Sequence, residues 1–172
     1  RFIMDADGTH NWGDGTATEN ISSGAQANHN YVWSNLSGST LTSDGFRQAI
    51  VTITMQGAAN LTSLNLNIKH SASSLSTYAT GWLDIKMASS ALTSLTIGAT
   101  TPVVPRLLQQ FEYVGSSSLT SISTLFNACR KLGSIVGTSW TSGATSFSSA
   151  FLNCTSLQTI PLVVPLDQLP FL

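Results

Sequence analysis

Asp5, Asp7 and Asp14 are the only cluster of acidic side chains in the sequence, and carboxylates so close together can collect a hard cation. The run Asp5-Ala6-Asp7-Gly8-Thr9 has the opening of a calcium loop. An EF-hand, however, places its glycine after a third oxygen ligand and a glutamate at the twelfth position; here the glycine comes early and Thr16 stands where that glutamate would be. Calcium held by Asp5, Asp7 and Asp14 is one expectation, and turn-forming aspartates are the simpler one. The same carboxylates could serve glycoside hydrolysis, but no partner groups accompany them. His10, His29 and His70 lack the paired spacing of a zinc site and have no cysteine beside them, and His29 reads as a packing and hydrogen-bonding residue. No Gly-x-Ser-x-Gly elbow occurs among the many serines. The chain therefore reads as non-enzymatic, with no cofactor indicated beyond that calcium.

Two other residue types invite a chemical reading. Trp33, Trp82 and Trp140 could stack on sugar rings if exposed, although tryptophan is more often a core residue. Cys129 and Cys154 hold equivalent places in a repeat. Parallel stacking would bring them to about 4.8 Å, within reach of a disulfide, but with their Cβ vectors side by side rather than convergent. Buried thiols are the expectation.

That repeat decides the architecture that must position these groups. At an offset of 25 residues, Leu119 answers to Ala144, Ile122 to Phe147, Phe126 to Phe151, Cys129 to Cys154, Leu132 to Leu157 and Ile135 to Ile160. Apolar residues in register, with Ser, Thr or Gly between them, mean stacked units that bury one another's faces. Earlier, Leu-x-x-Leu-x-Leu occurs at Leu61 to Leu66 and again at Leu92 to Ile97, with degraded copies at Leu119, Leu132 and Leu157. Each is expected to begin a strand of one parallel sheet, with Ile135 and Ile160 as stacked core positions. Extended stretches at Val51 to Met55, Leu83 to Met87 and Phe111 to Val114 precede the first three copies. The prolines at Pro102 and Pro105 mark an outer loop, with a short helical turn expected over Arg106 to Gln110.

The first part reads differently. Thr9 to Trp12 and Thr16 to Ile21 flank Gly13-Asp14-Gly15, a hairpin signal because the glycines supply positive φ and Asp bonds its own turn. Ile50 to Met55 alternates apolar with Thr, as a half-buried strand does. Another strand is expected around Tyr31-Val32-Trp33, and Ser34 to Asp44 is a polar loop.

Trp12-Gly13-Asp14-Gly15-Thr16, His29-Asn30-Tyr31 and the strand from Ile50 resemble, in that order, the PKD-type immunoglobulin-like module. The resemblance covers about the first 57 residues, and this copy is short at its N-terminus. Leu125-Phe126-Asn127-Ala128-Cys129-Arg130-Lys131-Leu132 and its echo Ala150-Phe151-Leu152-Asn153-Cys154-Thr155-Ser156-Leu157 are similar to BspA-type leucine-rich repeats and the 26-residue repeats of bacterial surface proteins. That resemblance is closest over residues 115–162. Together they imply a mainly β fold, an Ig/PKD-like β-sandwich over residues 1–57 continuing into a short leucine-rich-repeat-like parallel β solenoid over residues 58–172. They also imply display on a bacterial surface or a phage virion.

Composition agrees in kind. Only 9% of the residues are charged, against roughly 25% in an ordinary globular domain, and roughly a quarter are Ser or Thr. Such a hydroxyl-rich surface is the habit of cell-surface, extracellular and virion proteins. The seven Lys and Arg are scattered and the net charge is −1, which argues against nucleic acid as a partner. No apolar run reaches the ~20 residues of a membrane span, and no signal-peptide pattern opens the chain. It begins at Arg1 rather than Met, so a processed or partial product is expected. The sequence thus predicts a structural or adhesive module that presents Thr93, Ser94, Thr96, Thr120 and Ser121 to other subunits, a host protein or a glycan. The alternative is a carbohydrate-binding domain using Trp33, Trp82 or Trp140. The apolar stretch after Ile160 is expected to dock on another subunit or continue into further repeats.

Overall fold

The computed structural model describes residues 1–36, 47–57, 60–69, 71, 81–98, 107–137 and 139–160. His70, the prolines at 102 and 105 with Arg106, most of the Ser34 to Asp44 loop, Ala58, Ala59 and the segment after Ile160 lie outside them.

The fold is mainly β, with no closed barrel among the described residues. Its strands are β1 (Phe2–Met4), β2 (Gly8–Asn11), β3 (Glu19–Ile21), β4 (Gln26–Ala27), β5 (Thr52–Met55), β6 (Ser63–Asn65), β7 (Asp84–Met87), β8 (Ser94–Thr96), β9 (Gln110–Tyr113) and β10 (Ser134–Val136). Short 3-10 turns stand at Trp33–Asn35 and Ser139–Thr141. Three sheets result, in the orders β4-β1-β6-β8, β10-β9-β7 and β3-β2-β5.

The expected hairpin forms. β2 and β3 pair antiparallel with Gly8 opposite Ile21 and His10 opposite Glu19. Gly13 and Gly15 take φ of 74° and 87° in the connection, where Asp14 Oδ1 accepts bonds from the Thr16 hydroxyl at 2.7 Å and the Thr16 N–H at 3.3 Å. β5 adds to the other side of β2, its threonines exposed and Ile53 and Met55 half-buried, as the alternation predicts. Tyr31-Val32-Trp33 forms no strand. Tyr31 and Val32 are irregular and exposed, and Trp33 opens a 3-10 turn. Leu107 to Gln109 is not helical either, and Gln110 begins β9.

The Leu-x-x-Leu copies do not share one sheet. β6 and β8 pair in parallel at an offset of 31 residues, Leu64 beside Leu95, while Ser134–Val136 lies parallel to β9 in the sheet that also holds β7. The copy at Leu119 begins no strand; Ser121 beyond it makes only an isolated parallel bridge to Ser146. At the last copy Ile160 is 42% exposed and residues 157–160 form no strand, whereas Ile135 is 6% exposed. Ile160 is not a stacked core residue, because no described strand lies over it.

The 25-residue period is written into the backbone. N–H groups of Ile122, Thr124, Phe126 and Ala128 donate to the carbonyls of Ser146, Ser148, Ala150 and Leu152 at 2.8 to 2.9 Å. The alternate N–H groups of Leu125, Asn127 and Cys129 close turns onto residues three back, as do those of Ala150, Leu152 and Cys154. Positive φ recurs at the same offset, at Thr124 (60°) and Ser149 (54°), and at Ala128 (63°) and Asn153 (64°). Each turn thus alternates donors between itself and its neighbour, leaving few buried backbone groups unpaired.

One apolar cluster runs from Phe2 to Ala150. β1 pairs antiparallel with β6, Met4 opposite Leu64, so a sheet crosses the line drawn at residue 57. The Asp5 carboxylate reaches over the same crossing and accepts from Thr62 N–H at 3.0 Å, Ser63 N–H at 2.7 Å and the Thr62 hydroxyl.

Candidate functional site

The structure separates the three aspartates. Asp5 faces Thr62 and Ser63, Asp7 accepts from Ser23 N–H at 2.8 Å, and Asp14 sits in the hairpin turn against His29. Among the described residues no three His, Cys, Asp or Glu side chains are grouped to hold a metal ion. The expected calcium set at Asp5, Asp7 and Asp14 is not assembled, because each carboxylate meets protein donors of its own.

Asp14 is tied most tightly. His29 Nε2 lies 2.7 Å from its Oδ2, and the Asp14 side chain is 2% exposed. The bonds from His29 and then Thr16 hold its carboxyl well below the usual range, at about 2. His29 stacks flat on Trp12 at 4.9 Å, and Tyr31 meets both rings edge-on. The Tyr31 hydroxyl donates to the Trp12 carbonyl at 3.0 Å; burial and then the Asp14 charge push its phenol up to about 12. These residues form a packed, hydrogen-bonded unit. Trp12, which sequence reasoning used only as a turn marker, is its centre and is 1% exposed.

The tryptophans expected as sugar platforms have three fates. Trp140 is fully buried, stacked on Tyr113 at 5.7 Å with Nε1 donating to the Gly137 carbonyl at 3.0 Å, so it presents no face to a ligand. Its site is a core one because Phe111 and Phe126 also close on it. Trp33 is exposed, and the Arg47 guanidinium lies 4.5 Å from its ring centroid. Trp82 is half-buried with Nε1 donating to the Leu66 carbonyl at 3.2 Å. It lines a cleft of about 690 Å³ together with Trp12, Tyr31, Arg47 and Asp84, a size ordinary for a small-molecule site.

Thr93, Ser94, Thr120 and Ser121 are exposed and Thr96 is half-buried. Some of their polar groups serve the stack. Thr93 donates to the Thr62 carbonyl at 3.1 Å, and Ser121 begins a hydroxyl chain to Ser123 at 3.1 Å that continues to Ser146 at 2.7 Å. Ser94 and Thr96 extend in β8 beside Ser63 and Asn65. Cys129 and Cys154 form no disulfide. The Cys154 thiol points to the Phe126 carbonyl at 3.0 Å, and burial pushes it up to about 11, so it stays protonated and unreactive near neutral pH.

Comparison with protein-family models, curated proteins and solved structures gave no match. No helix among the described residues is long and apolar enough to cross a membrane.

Proposed function

We propose that this chain is a non-enzymatic structural or adhesive module displayed on a microbial cell surface or a phage virion. In this reading a PKD/Ig-like unit caps a short BspA-like leucine-rich-repeat solenoid, and the rigid stack presents its hydroxyl rows to neighbouring subunits, a host protein or a glycan. The observation that carries it is the backbone equivalence of the turns at 122–128 and 147–153. Successive coils that hydrogen-bond each other residue by residue make a stiff scaffold, and such scaffolds serve as extended binding surfaces. The exposed Thr93, Ser94, Thr120 and Ser121 give that surface polarity without charge. Antibody labelling of intact source cells and purified virions tests the location; signal confined to the cytosol of lysed cells would overturn it. For adhesion, Ser94→Lys with Thr120→Lys, both exposed, should abolish attachment of the immobilised protein to its host surface while leaving its melting temperature unchanged.

A second reading is carbohydrate binding. Trp82 lines the cleft of about 690 Å³, and there the buried Trp12 Nε1 has no hydrogen-bond partner among the described residues. A glycan array separates the two readings: binding lost in Trp82→Ala and kept in Trp140→Phe supports the cleft.

A further inference from the structure

Two sheets of this protein end in strands that flank the same groove. β5 closes the order β3-β2-β5, and β7 closes β10-β9-β7. Between them lies a cleft of about 530 Å³, lined on one side by Ile53 and Met55 and on the other by Asp84 to Met87, with Leu64 and Leu66 also in its lining.

The backbone register shows what these walls offer. Gln56 N–H donates to the Asp7 carbonyl at 3.1 Å, and the pairing runs from Gly8 opposite Met55 to Asn11 opposite Thr52. Bonded and non-bonded pairs alternate in an antiparallel ladder, so Thr52 and Thr54 bond β2. Ile53 and Met55 direct their N–H and C=O groups away from β2. In β7 the carbonyls of Leu83 and Met87 accept from Gln109 and Val114, which assigns the odd-numbered residues to β9. Asp84 and Lys86 direct their backbone groups to the opposite edge. Neither set has a backbone partner among the described residues.

The apolar lining agrees. Val51, Ile53, Met55, Leu61, Trp82 and Met87 all border this cleft, and they are six of the ten apolar residues packed only half-buried against the core. Beside them on the outer face stands Asp84, exposed and paired with no described cation, whereas Lys86 holds Glu112 at 2.8 Å.

We infer that the groove between β5 and β7 accepts an extended peptide segment of a partner protein as an added strand, joining the two sheets into one. Its backbone bonds Ile53 and Met55 on one wall and Asp84 and Lys86 on the other. Alternate apolar side chains of the peptide cover the half-buried Leu61 and Met87, and a lysine or arginine at an outward position meets Asp84. This inference does not depend on where the protein is displayed.

The test is hydrogen exchange by NMR on the full chain with a short blocked peptide alternating valine and threonine, one outward threonine replaced by lysine. The expected result is slowed exchange at the amides of Ile53, Met55, Asp84 and Lys86, lost with an analogue N-methylated at alternate residues. Asp84→Lys, a surface change, should reverse the preference from the lysine peptide to its glutamate counterpart. No protection, or equal protection by the N-methylated analogue, would overturn the proposal. So would protection of the same amides without peptide, accompanied by a doubled mass at rising protein concentration, which would make a second copy the occupant.

Discussion

At the scale of single residues, the Asp14 to His29 pair shows how a sequence motif becomes a fixed structure. Asp14 looks like a turn residue and, with Asp5 and Asp7, like a cation ligand. Its geometry answers a different need: one oxygen holds the turn through Thr16 and the other holds His29 against Trp12. Because the folded carboxyl titrates at about 2, below its ordinary 3.8, the charged form is favoured by folding. That contribution is present above pH 3.8 and is lost as pH falls through about 2. Asp14→Asn should therefore flatten the pH dependence of urea unfolding in this window and leave its slope unchanged above it. An unchanged acid slope would show that the pair adds nothing to stability. Separation of the aspartates was not legible in the chain, since Asp5 bonds residues nearly sixty positions away and no local pattern encodes such a partner.

At the scale of elements, the two last turns are near copies, yet only one is enclosed. Ile135 sits in β10 under the cover of its neighbours, and Ile160 lies at the last described residue, half in solvent. Ile135→Ala should lower stability by about 2–5 kcal/mol through lost transfer energy and a residual cavity. Ile160→Ala should change it by less than about 0.5 kcal/mol. Equal costs in chemical denaturation would contradict the distinction. The period itself was readable because it rests on apolar residues in register, and the hairpin because glycines and Asp14 announce it. Assignment of copies to faces was not, since Leu-x-x-Leu reads alike whether it enters β8 or β10. β1 and β4, three and two residues long, carry too few residues for any period to show, although β1 ties the N-terminus into the central sheet. Tyr31 and Trp33 read as strand residues by type alone; their rings are held instead by the Trp12 carbonyl and Arg47.

At the scale of the whole molecule, the question is whether the two modules suggested by the sequence behave as one. Their linker contains Gly57, exposed and at positive φ, which taken alone would suit a hinge. Opposing this are the β1 and β6 pairing, the Asp5 bonds to Thr62 and Ser63, and an apolar cluster that continues without a break from Phe2 to Ala150. Met4, 1% exposed and opposite Leu64, belongs to both sides at once. Separating them would expose that contact and leave the β6 edge unpaired, so the free energies of the two parts are coupled. Trp12 and Trp140, buried at opposite ends of the chain, supply a probe for each part. Followed by their indole NMR signals in the unaltered chain, the two should lose native structure in urea with coincident midpoints, as two-state behaviour requires, and Met4→Ala should lower both midpoints together. Two separated midpoints, or proteolysis at Gly57 that releases two stable fragments, would show instead that the shared sheet is a contact between independent domains.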